Sequence, residues 1–90
     1  MIYERYVGKI VQISLNQTAF QGLDYVGRVV EADSDFIRLG YHSRYNNDRQ
    51  LEHIIKEIKE LESGIKKYKV DFSSEVSLNK LVIAGIKPLE

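Results

Sequence analysis

The side chains in this chain best suited to chemistry are cations placed beside turns. Arg38 lies just past Asp33-Ser34-Asp35, and Lys80 and Lys87 flank Gly85. Cations in such places suit contact with phosphate oxygens, which bind by charge and carry no base identity. Lys66-Lys67-Tyr68-Lys69 is a second basic patch with an aromatic inside it. Short lysine runs are usually solvated faces, and Asp33 and Asp35 oppose phosphate near Arg38. Thirteen Lys and Arg balance thirteen Asp and Glu. With no net charge there is no global field to draw in nucleic acid or membrane, so any such binding must come from a local patch.

Catalytic and metal chemistry find little support. His42 and His53 are far apart in sequence, and neither has carboxylates at metal-ligand spacing. Both are expected to face solvent or an interface. There is no cysteine, which excludes disulfides and thiolate metal sites. No nucleophile has a plausible base, and no glycine-rich phosphate loop is present. The expectation is a protein that is not an enzyme, with no cofactor, no metal and no small-molecule substrate.

Ninety residues make one domain, 1–90, with a modest core. Val7–Leu15 is rich in β-branched residues and predicts a half-buried strand. Tyr25–Ala32 predicts a second, with Gly27 inside it marking a bend or bulge. Asp33–Asp35 is turn chemistry, and Phe36–His42 predicts a third strand. The period then changes. Leu51, Ile54, Ile55, Ile58 and Leu61 are spaced three and four apart, the pattern of an amphipathic helix over about 48–63. Asn47 suits the N-cap, with Gln50 as its capping-box partner, and Gly64 suits the stop. Glu57, Glu60 and Glu62 read as a charged helix face. Ile65–Phe72 and Val76–Ala84 predict strands, and Ile86–Leu89 a last short one after Gly85. Pro88 fits only an edge or a strand end.

Leu81, Val82, Ile83 and Ala84 are apolar on both parities. A strand with one solvated face should alternate, so these four residues are candidates for an oligomer interface. Free strand edges also need capping or pairing, and pairing around a closed ring does both.

Gly27, Val29, Asp33 and Leu39, followed much later by Ile83-Ala84-Gly85, resemble the two sequence motifs of the Sm/LSm/Hfq proteins. The matching parts cover roughly half of the chain. The resemblance implies a mainly β fold: a small, strongly bent five-stranded barrel, here with an α-helix inserted at about 44–64. It also implies a ring of about five to seven subunits. The family's uridine pocket uses a stacking side chain, an asparagine and an arginine. The corresponding residues here are Asp35, Ile37 and Ala84. A carboxylate cannot stack a base as an aromatic can, isoleucine cannot read a base edge, and alanine brings no cation.

The resulting expectation is an Sm-like ring protein that binds RNA or single-stranded DNA through basic rims, without the uridine pocket. Arg38, Lys80 and Lys87 are the candidate contacts, with Asp35 and Phe36 at the neighbouring turn. The alternative is an oligomeric adaptor that binds protein and no nucleic acid. The N-terminus has no apolar leader and no run is long enough to span a membrane, so a cytoplasmic location with no membrane partner is expected.

Overall fold

The sequence changes from β-type alternation to helical spacing at residue 50, and the chain changes structure there too. A computed structural model describes residues 3–16, 24–45, 50–64, 72 and 74–90. After a single turn of 3-10 helix at Glu4–Tyr6 come strands β1 (Ile10–Leu15), β2 (Asp24–Ala32) and β3 (Phe36–Tyr45). Helix α1 (Leu51–Glu62) follows, then β4 (Val76–Asn79), a 3-10 turn at Lys80–Val82, and β5 (Ile83–Pro88). The five strands form one antiparallel sheet in the order β4-β3-β2-β1-β5. The sheet does not close on itself, so the expected five-stranded barrel is not closed, and β4 and β5, which do not pair with each other, are the two edges.

The sheet is covered on both faces. On one face Tyr6, Val11, Ile13, Val29, Ile37, Leu39 and Leu78 form a core. On the other, Ile10 and Val26 pack with Ile54, Ile58 and Leu61 of α1 and with Phe72. The helical stripe is thus buried against its own sheet. Tertiary burial of this kind, more than intrinsic propensity, is what holds a twelve-residue helix in water. Glu52 in its first turn and Lys59 in its last suit the helix dipole. The helix stops at Gly64, which adopts φ +80°, a conformation only glycine takes without strain.

Gly27 bends the sheet. Its pairing partner is His42, and the register slips between Gly27 and Val29 and again between Val29 and Glu31. The Asp33 turn also forms as its residue types suggest. Asp33 Oδ1 accepts from the backbone N–H of Asp35 at 2.7 Å and of Phe36 at 3.1 Å. Pro88 ends the edge strand β5, where its missing N–H does least harm.

Several expectations are corrected. The first strand starts at Ile10, and Val7 is exposed, because residues 7–9 form a turn after the 3-10 helix, with Gly8 at φ +87°. The helix starts at Leu51. Gln50 is its extended N-cap residue and makes no side-chain cap bond; the expected N-cap, Asn47, and with it the capping box to Gln50, lies outside the described residues. The predicted strand Val76–Ala84 is broken at Lys80–Val82. There the Asn79 side chain accepts the Leu81 N–H at 2.9 Å, a local bond that competes with the strand ladder. Gly85 lies inside β5 and does not divide it. Glu57 is buried, since positions 54, 57, 58 and 61 share one helix face. His42 is buried as well, across the ladder from Gly27. The predicted strand Ile65–Phe72 lies outside the described residues except for buried Phe72.

Candidate interface: two strand edges and their charges

The β3–β4 ladder brings most of the candidate nucleic-acid residues together. Phe36 pairs with Asn79 and Arg38 with Ser77. Lys80 follows directly, and its N–H donates to the Asp35 carbonyl at 2.8 Å. The Lys80 ammonium lies 3.2 Å from the Asp35 carboxylate. Arg38 lies 3.7 Å from both Glu31 and Glu75. Each of these cations thus stands beside a carboxylate, and the Arg38 group carries one more negative than positive charge.

Lys87 is not part of this cluster. It sits on β5, paired with Gln12 of β1, at the other edge of the sheet. It is exposed and forms no ion pair among the described residues. The five residues therefore do not make one basic rim. The Lys66–Lys69 patch lies outside the described residues.

Leu81, Val82, Ile83 and Ala84 divide by position. Val82 and Ile83 pack partly against the core of their own sheet. Ala84 is exposed, and Leu81 is 74% exposed. The turn that carries Leu81 is firmly held. The Asn16 side chain donates to the Leu81 carbonyl at 2.8 Å, and the Asn16 N–H to the Val82 carbonyl at 3.0 Å. Leu81 is thus an exposed apolar side chain on a fixed stretch of backbone between the two edge strands. Its turn, with two residues partly buried, accounts for the apolar run on both parities.

Two features escaped the sequence. Arg28 donates from Nη1 to the Gly8 carbonyl at 2.7 Å and to Glu90 Oε1 at 2.8 Å, and from Nε to Glu62 Oε2. Glu90 also accepts from the Ile10 N–H at 3.2 Å and lies 3.4 Å from Lys59. This clamp ties the end of α1 and the last residue to the start of β1. The hydrogen bond to Glu62, opposed by partial burial and helped by both carboxylates, raises the Arg28 pKa. No local sequence signal reveals the clamp, because its carboxylates lie 34 and 62 positions away.

The second is His42. Its ring lies 5.4 Å from that of Tyr25, and the Arg44 guanidinium stands 4.6 Å over the same tyrosine. Burial, and then the charge of Arg44, lower the His42 pKa. His53 is exposed, with Nε2 3.2 Å from Glu57. Among the described residues no group of three His, Asp or Glu side chains is placed to hold a metal ion. Among the described residues no helix is long and apolar enough to cross a membrane.

No family model matches the chain, and neither does any curated protein.

Proposed function

We propose that this chain is an Sm-like assembly module, a bent five-stranded unit that joins copies of itself edge to edge into a closed ring of about five to seven subunits. The ring serves as a structural or protein-binding adaptor. The observation that carries this reading is the strand order. It leaves β4 and β5, two different strands, as the free edges of one subunit. Unpaired edges invite strand pairing. A contact between unlike edges is heterologous, and heterologous contacts close into rings when the rotation allows. The Sm-like motifs around Gly27 and Gly85 support the same reading, since both glycines lie in the sheet.

The test is a charge placed on one edge. Ala84 is exposed on β5, so Ala84→Lys should leave the fold intact by circular dichroism and lower the assembled mass. Unchanged mass in the folded variant counts against assembly through β5.

A second reading is nucleic-acid binding through phosphate contacts, in a cytoplasmic setting. The exposed ammonium of Lys87, which has no ion-pair partner among the described residues, favours it. One such cation per subunit becomes a circle of charge in a ring, and repeated weak contacts add up. The carboxylates beside Arg38 and Lys80 weigh against it and place it second.

A further inference from the structure

We infer that Leu81 of one copy seats in a cleft over Gly40 of the next copy. The inference rests on the head-to-tail assembly proposed above and names its contact.

The cleft measures about 440 Å³ and lies on the outer sheet face beyond the end of α1. Val30, Gly40 and Tyr41 belong to its sheet side, with Glu62, Ser74 and Glu75 around them. It is open because residue 40 has no side chain: a Cβ there would stand 3.0 Å from Val30 Cγ1. Val30 is itself 43% exposed. An apolar side chain therefore has a floor to bury against, and a pocket of this kind is where an interface anchor gains most.

Leu81 has the matching properties. It is the most exposed large apolar side chain among the described residues, and its turn is pinned by Asn16 and Asn79. The backbone around it is already ordered, so its burial costs only the freedom of the side chain itself. Charge agrees with shape. Both charged residues that line the cleft, Glu62 and Glu75, are acidic, while Lys80 adjoins Leu81. The Lys80–Asp35 pair is well exposed, so its partner can be exchanged at small cost.

Leu81 cannot fill the cleft of its own chain. Asn79 pairs with Phe36 and Val76 with Leu39, which puts Glu75 and Leu81 at opposite ends of β4. The contact has to be between copies. Glu75 precedes the start of one edge strand and Leu81 the start of the other, so the contact accompanies a parallel pairing of β4 with β5 of the next copy.

The chain has no cysteine, which makes a crosslinking test clean. Chains carrying Leu81→Cys and chains carrying Val30→Cys are mixed, allowed to exchange and oxidised. The expected product is a mixed 81–30 disulfide in excess over like-with-like dimers. Both positions are exposed, so folding is not at risk. In a second arm, Leu81→Asp should weaken assembly roughly tenfold or more, as loss of an interface anchor does. Lys80→Glu should also weaken it, and Glu75→Lys in the same chain should restore it. If light scattering shows an oligomer but no 81–30 disulfide forms, the contact is wrong and the assembly reading stands. If the chain is a monomer, both fail.

Discussion

Gly27 lies directly across the β2–β3 ladder from His42, so close that a Cβ on Gly27 would stand 2.9 Å from the His42 Cβ. The same Cβ would meet the carbonyl oxygens of Gly40 and Tyr41 at 3.2 Å. A glycine here lets β2 and β3 approach closely where their register shifts.

Gly27→Ala should therefore destabilise the fold by about 1–3 kcal/mol, the usual cost of overpacking. Two of its three close neighbours are backbone atoms, which cannot rotate away. Gly85→Ala is the control, since nothing lies within 4 Å of a Cβ at that site. Urea denaturation of both variants makes the comparison. Equal stabilities would contradict the role given to Gly27.

The helix stripe gives a second prediction. Ile58 is fully buried between α1 and the sheet, while Ile55 is only half-buried. Ile58→Ala should cost roughly 2–5 kcal/mol, and Ile55→Ala clearly less. A loss below about half a kcal/mol at Ile58 would show the site exposed in solution.

His42 sets a pH dependence. Its pKa in the folded chain lies below the ordinary 6.5, first through burial and then through the charge of Arg44. Tyr25 of β2 faces it, and Val11 of β1 lies beyond Gly27. Between the folded and unfolded pKa values the unfolded chain binds more protons, so stability rises with pH there. The His42 contribution is complete above about 6.5 and is lost as pH falls below it. Stability measured by denaturant across that range should fall toward acid, and His42→Gln should flatten the profile. A wild-type profile that improves toward acid in this window contradicts the assignment.

Much of the architecture was legible from residue types and spacing. The change of period at residue 50, the glycines at 27 and 64, and the Asp33 turn are local signals, and the chain obeys them. What stayed hidden depends on distant partners. The buried positions of Glu57 and His42 follow from helix phase and from a bulge, not from residue type. The break at Lys80–Val82 follows from one Asn79 hydrogen bond. The candidate cations were visible, but the carboxylates beside them come from other strands, and only the folded sheet shows that Lys87 stands apart.

Lys87 supplies the test of the nucleic-acid reading. Labelled single strands, titrated at low and high salt, should bind weakly and with little sequence preference, because phosphate contacts carry no base information. Lys87→Glu should lower affinity for all sequences alike and flatten the salt slope. A strong preference for oligo-U would point to base reading by residues other than Asp35, Ile37 and Ala84. Absence of binding at low salt leaves the adaptor role alone.

The central claim is assembly through two unlike strand edges, and solution mass tests it most directly. Multi-angle light scattering across a dilution series should give a single species of about five to seven copies of the 10.4 kDa chain. A mass of one chain, constant at every concentration, would contradict the account.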